Sequence, residues 1–423
     1  MNHQFELPGN YKKWTYGLIG AGIIALLYGV IAYHPFAPVT HGEGHDAHAS
    51  INATRFWATL LQNSVFFLLV VNAAMFFICV TTMAMAGWVI AFRRVSEAVS
   101  SVVPVLGIIN FVILVALVVL HRTDIYHWLD KDAVAKDHIL LGKSGFLNPT
   151  FFLVWSGITI FLWWILGKKM RSMTLKSDKE GPMDYETGKK FIWDSTVYAS
   201  LFCVVFALTV ASTIPWLWLM SIDAHWYSTM YSWYTFASTF VSGISLIALF
   251  VIYLKNQGQL AYVTEEHLHD LGKFMFAFSI FWTYLWFSQY MLIWYSNQPE
   301  ETKYFVQRIG TADKSGPYHV IFFFNLAVNF LCPLLILMKK GVKRNWTMIT
   351  FMAVLIIVGH WVDFFQMVMP GTVHGHWHLM PFELGIPCLF IGLIMWRVGS
   401  YISSHSLLIK NHPFLKESMI HHT

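Results

Sequence analysis

Ten stretches of roughly twenty or more mostly apolar residues, each long enough to cross a bilayer, recur along this sequence. They lie at about 14–34, 60–91, 98–120, 149–168, 191–215, 233–254, 273–296, 317–338, 346–369 and 380–402. Hydrophobic residues make up 56% of the chain and charged residues only 12%. A soluble domain of that make-up could not cover its surface with polar groups. In hydrocarbon every backbone N–H and C=O must be satisfied within the protein, so spans of this length read as helices. The expected fold is all-α: a polytopic membrane protein of about ten transmembrane helices. A nucleic-acid binder, a disordered chain and a secreted disulfide scaffold are excluded.

Residues 1–423 read as one integral membrane domain. The second run is too long for a simple span, so Arg55–Gln62 is expected at the interface. Pro215 is expected to end or kink the fifth span, because proline removes a helix hydrogen bond. Residues 215–231, rich in Trp and Tyr, then read as an interfacial segment. Most of the 28 Lys and Arg residues fall on the side that holds the N-terminus, among them Lys12, Lys13, Arg93, Arg94, Lys168, Lys190, Lys343 and Arg344. The positive-inside rule makes that side cytoplasmic. Ten spans then place both termini in the cytoplasm.

The four cysteines, Cys79, Cys203, Cys332 and Cys388, lie singly in apolar runs, without CxxC or CxxCH spacing. They read as small buried hydrophobes. The groups His41, His45, His48 and His374, His376, His378 have no cysteine beside them, and no metal is expected. His121 and His360 do not match in depth as a haem pair requires. No redox cofactor is expected to be bound tightly by this chain.

An ionisable side chain inside a span is a functional hypothesis by default. His360 and Asp363 stand i, i+3 in the ninth span, on one helix face. His360 lies about 22 Å from the basic end at 1.5 Å per residue, and Gln366 continues the arc. The pair reads either as a proton-accepting site, beside a quinol or on a proton path, or as a mutually satisfied lock between helices. Asp223 and His225 follow Pro215 at the opposite interface, where carboxylate and imidazole can exchange protons with water. Tyr231, Tyr234, Ser238, Ser242 and Ser245 are spaced 3, 4, 4 and 3 apart. They form a polar seam that can relay protons or promote close packing. Gln289, Asn325 and Asn329 are expected as interhelical hydrogen bonds, with Gln289 a weaker site candidate. Glu383 is expected to join the His360 and Asp363 group. Asp194, His269 and Asp270 could form an inner proton mouth.

The run from Ser221 to Tyr234 (SIDAHWYSTMYSWY) resembles a motif in the membrane subunits of bacterial alternative complex III. So does the run from His269 to Trp282 (HDLGKFMFAFSIFW), which continues through Trp286–Tyr290 to Trp294–Glu301. These are polysulfide-reductase/NrfD-like integral membrane proteins, and the resemblance covers nearly the whole chain. It implies two four-helix bundles, about 55–215 (spans 2–5) and 216–369 (spans 6–9), with spans 14–34 and 380–402 flanking them. It further implies a place in the bacterial inner membrane, in a respiratory quinol:electron-acceptor oxidoreductase. The implied partners are an iron–sulfur subunit, haem c subunits, a paralogous membrane subunit and small membrane subunits. Iron–sulfur clusters and haem c are then carried by the partners, and quinone or quinol is the mobile carrier. Two other readings remain open: a purely structural anchor of such a complex, and a stand-alone secondary transporter. A transporter favours interrupted helices in corresponding positions of two halves, and only one break, at Pro215, is evident in the sequence.

Overall fold

The computed structural model describes residues 5–38, 45–311 and 313–422, with side chains described from residue 50 onward in the second helix. His41 and the side chains of His45 and His48 lie outside the described residues. The structure is helical throughout, with one isolated β-bridge, Gly310 to Ser315, among the described residues. Ten long helices are named here α1 (Gly9–Tyr33), α2 (His45–Met83), α3 (Arg93–Val119), α4 (Pro149–Glu180), α5 (Tyr185–Trp218), α6 (Met230–Asn256), α7 (Glu265–Ser296), α8 (His319–Leu337), α9 (Trp346–Thr372) and α10 (Pro381–Ser404). Among the described residues nine are long and apolar enough to cross a membrane. The tenth, α7, is an unbroken helix of 32 residues. Its Trp, Tyr, Ser and Gln side chains make it less apolar than the others. The chain is thus an all-α, multi-pass membrane protein.

Arg55–Gln62 continues α2 without a break, and Arg55, Phe56, Trp57, Thr59, Leu61 and Gln62 are buried within the protein. Burial is tolerated because Arg55 meets Glu383 at 2.7 Å. The helix stops at Met83 rather than 91, and Gly87–Ala91 forms a separate 3-10 turn.

Of the two outcomes expected at Pro215, the helix is distorted there and does not end. The preceding turn, Thr209–Thr213, widens to a π-helix, and Ile214 N–H reaches Thr209 O five residues back. Proline normally clashes with the carbonyl four residues before it; the wider turn makes room for the ring, and helix continues to Trp218. The same device recurs in α8. Ala327–Leu331 is π-helical, Cys332 N–H bonds Ala327 O, and Pro333 follows.

α2, α3, α4 and α5 pack side by side as one group of four, and α6, α7, α8 and α9 as another. α2 lies against both α6 and α9, so it joins the groups. The outer pair, α1 and α10, packs antiparallel. Gly385, Gly392 and Gly399, seven apart, let the two backbones approach as small residues do in membranes; a Cβ on Gly385 would stand 2.2 Å from Ala25 Cβ. The C-terminal segment crosses the face that bears Arg93, Arg94 and Lys343. Ser418 Oγ donates to Trp88 O (2.7 Å) and accepts from Ala91 N–H (2.9 Å).

Candidate functional site

The middles of α2 to α5 carry no charged residue and no histidine. In α6 to α9 they carry one of each at depth, His360 and Asp363, and both are essentially solvent-free (0% and 1% exposed). Their neighbours come from every helix of the second group. Asp363 Oδ1 accepts from the Tyr234 hydroxyl of α6 and from Asn325 Nδ2 of α8 (2.9 Å). Oδ2 accepts from Trp282 Nε1 of α7 (3.1 Å). His360 Nδ1 lies 3.0 Å from Ser238 Oγ and 3.7 Å from Asp363 Oδ2. The Trp282 ring meets the imidazole edge-on at 5.2 Å. His360 Nε2 is buried without a hydrogen-bond partner among the described residues. Asn329 Nδ2 donates to Asn325 Oδ1 (2.6 Å), so the donor to Asp363 is itself held.

These donors leave a narrow space. A cavity of about 20 Å³ is lined by Asp363, Tyr234, Gln289, Gln366, Tyr304 and Arg308, among others. That is room for about one water molecule. Arg308 and Tyr304 sit on the short amphipathic helix Pro299–Ile309, between α7 and α8. Arg308 is buried, yet it makes no salt bridge among the described residues. It donates to Gln366 O (2.8 and 3.2 Å) and Tyr304 O (2.6 Å), and lies 3.4 Å over the Tyr304 ring. A buried cation and a buried carboxylate thus share one cavity without touching as a pair. Burial pushes the Tyr304 phenol up, so it remains a neutral donor.

The same short helix leads to the surface. Tyr304 stacks on Trp226 at 4.2 Å, and Lys303 Nζ lies 4.0 Å from Asp223. Asp223 is thus brought beside this short helix. His225 does not join it. Its Nε2 lies 2.5 Å from Asp137 Oδ2, on the 120–148 connection, and this hydrogen bond holds the Asp137 carboxyl below the usual range.

The hydroxyl seam is only partly realised. Tyr231 is buried between Trp226 and Tyr234 (5.7 and 6.4 Å between ring centroids). Ser238 reaches His360, but Ser242 and Ser245 turn back on Ser238 O and Val241 O of their own helix (2.8 Å each). Helix packing accounts for these last two. Glu383 belongs elsewhere: it accepts from Arg55, from Tyr33 (3.1 Å) and from Met380 N–H (3.1 Å), between α10, α1 and α2. Glu383's helix packs against α1, α2 and the start of α3, and Arg55 is its counter-charge.

At the opposite, basic face, Asp270 pairs with Lys273 (2.8 Å) and with His421 of the C-terminal segment (2.7 Å). His269 is buried beside it, while Asp194 is half-buried on α5. Asp270 thus anchors the tail. A second buried network had no place in the sequence reading: Arg94 bonds Glu97 (2.7 Å) and Asp178, and Thr174 donates to Glu97 (2.8 Å). The i, i+3 and i, i+4 spacing of Arg93, Arg94 and Glu97 was a visible signal. Arg308 and Trp282 gave none, since nothing in their local sequence shows what they face.

No protein-family model matches the chain, and no curated protein is significantly similar to it. What fold and site define is a class: a polytopic helical membrane protein with a buried His–Asp site in its second four-helix group.

Proposed function

We propose that this chain is an integral membrane subunit of a bacterial respiratory quinol-oxidising complex, and that Asp363 and His360 hold and pass a proton within it. The reading of the complex rests on the resemblance of the Ser221–Tyr234 and His269–Glu301 runs to alternative complex III membrane subunits. The partners are then an iron–sulfur subunit, haem c subunits, a paralogous membrane subunit and small membrane subunits. The basic face is the cytoplasmic one.

One observation carries the proton role: a buried carboxylate, with a buried imidazole 3.7 Å from it, lines a water-sized cavity that a buried arginine also lines. A carboxylate accepting from tyrosine, tryptophan and asparagine has no need of a fixed cation. Its donors are neutral, and Arg308 supplies a positive charge across the cavity. One water there would link Asp363 to Tyr304, and from there the path runs towards Asp223. A quinone headgroup would need a pocket of roughly 300 Å³ or more, so this space favours a proton over a quinone.

The test is Asp363→Asn in the purified complex. An amide oxygen in the Oδ1 place keeps the Tyr234 and Asn325 bonds and leaves only Trp282 without its acceptor, so the iron–sulfur and haem c subunits should still co-purify. Quinol-driven turnover or protons released per electron should fall. Normal values for both in an assembled Asp363→Asn complex would leave Asp363 as helix glue. In that case Asp363→Leu alone should do damage, by stripping three donors of their acceptor.

A further inference from the structure

We propose that the cleft between the start of α5 and the C-terminal segment binds the headgroup of an anionic phospholipid. The cleft has a volume of about 780 Å³ and is walled by Tyr185 and Lys189 on one side and by Lys410, His412 and Lys416 on the other. A second hollow of about 450 Å³ shares Met85, Lys189 and Ile192 with it and adds Lys190 and Trp193.

The cleft's lysines are not tied up in salt bridges. Lys189, Lys190, Lys410 and Lys416 are exposed, and none makes a salt bridge among the described residues. Two carboxylates stand nearby. Asp184 is occupied in capping α5, accepting from Thr187 N–H (3.3 Å), and Glu186 lines the second hollow. A third, Asp178, lies within electrostatic reach of Lys410 but is paired with Arg94, so four ammonium groups still leave a net positive cleft. His412 adds no charge: burial, and then Arg93, hold its pKa down to about 3.

The apolar wall points to a lipid rather than a free anion. Trp193 is 70% exposed and Met85 56%. Both sit where α5 and α2 meet the basic face, at the level where aromatic belts mark the interface. Lysines above an exposed apolar wall match a phosphate with acyl chains below it. Basic pockets between transmembrane helices recognise such headgroups. This inference does not depend on the proton reading of Asp363.

The experiment is native mass spectrometry of the full chain in a neutral detergent. Phosphatidylglycerol, phosphatidylcholine and inorganic phosphate are titrated separately. Phosphatidylglycerol should be retained over phosphatidylcholine, and excess phosphate should not displace it. The triple variant Lys189→Gln, Lys410→Gln, Lys416→Gln should retain it up to roughly a hundredfold less, given about fivefold per lysine near an anionic surface. A control triple at exposed Lys12, Lys13 and Lys339 should match the unaltered chain. Equal retention of the two lipids, full displacement by phosphate, or an equal loss in the control would each overturn the proposal. The substituted lysines are exposed, and unchanged helical circular dichroism confirms that the variants fold.

Discussion

Replacing Gly359 with alanine tests how the widened turn of α8 supports the buried carboxylate. Gly359 precedes His360 on the face of α9 that meets this turn. A Cβ there would stand 2.1 Å from Asn329 Oδ1 and 2.6 Å from Val328 Cγ1. Both neighbours belong to Ala327–Leu331, the π-helical turn ahead of Pro333, so the backbone cannot step back without disturbing the proline. The Asn329 side chain must swing aside and lose its 2.6 Å bond to Asn325 Oδ1. That bond contributes about 1 kcal/mol, and overfilling a packed interior costs about 1–3 kcal/mol. The loss should therefore be about 2–4 kcal/mol. It is measured by unfolding the purified protein in one detergent. Asn329→Ala alone should cost about 1 kcal/mol. Adding Gly359→Ala to it should cost little more, because the space is already clear, apart from a remainder at Val328. A double-mutant cycle should thus show a favourable coupling of about 1–3 kcal/mol. Simple additivity would mean that Gly359 is not there for Asn329, and the reasoning would fail.

Glu383→Leu should destabilise the protein by about 3–5 kcal/mol by leaving Arg55 buried and unpaired, and adding Arg55→Met should recover much of the loss; a double variant as unstable as the single would refute the pairing. Because the His412 pKa is depressed from 6.5 to about 3, the unfolded tail binds more protons than the docked one between those values. Docking should weaken as pH falls below about 6.5 and be steady above it, so limited proteolysis of the C-terminal segment should speed up at pH 5 relative to pH 7.5, and His412→Gln should flatten that difference. For topology, a cysteine in place of Glu180 should resist an impermeant maleimide on intact cells; efficient labelling from outside would reverse the proposed orientation.

Much of the fold was legible because bilayer thickness sets the length of each apolar run. The failures were local. The length of the second run hid the buried pairing of Arg55 with Glu383, since a partner 328 positions away leaves no trace in local composition. Pro215 read as a break because the proline rule is stated for α-helix, and a π-turn escapes it. At the site, His360 and Asp363 were legible because charge at that depth is conspicuous. Their donors were not. Trp282 lies in a run rich in aromatics, and Arg308 lies in what reads as a loop. Glu383 was placed near the pair only because both are acidic features of late spans. Helix periodicity shows which residues share a face, but not which helix that face meets.

The two π-turns separate the roles of the two helix groups. In α5 the turn exposes Thr209 and Thr213, which take the indole N–H groups of Trp163 and Trp155 (3.0 and 2.9 Å). Ser232 of α6 donates to Ser212 O (2.8 Å). Every group in that set is neutral, and each donor has found an acceptor. The result is a lock between α4, α5 and α6. In α8 the same distortion contains Asn329, with Asn325 just before it, and the chain of bonds ends on Asp363. A π-turn frees backbone and side-chain groups from the helix ladder, and such turns recur at functional sites. Here the distortion is common to both groups, so it cannot by itself assign function. What differs is the acceptor at its end: hydroxyls in the first group, a titratable carboxylate beside an unpartnered imidazole nitrogen in the second. If protons are handled in this chain, the second group is where they are held, and the first holds it in place through α2.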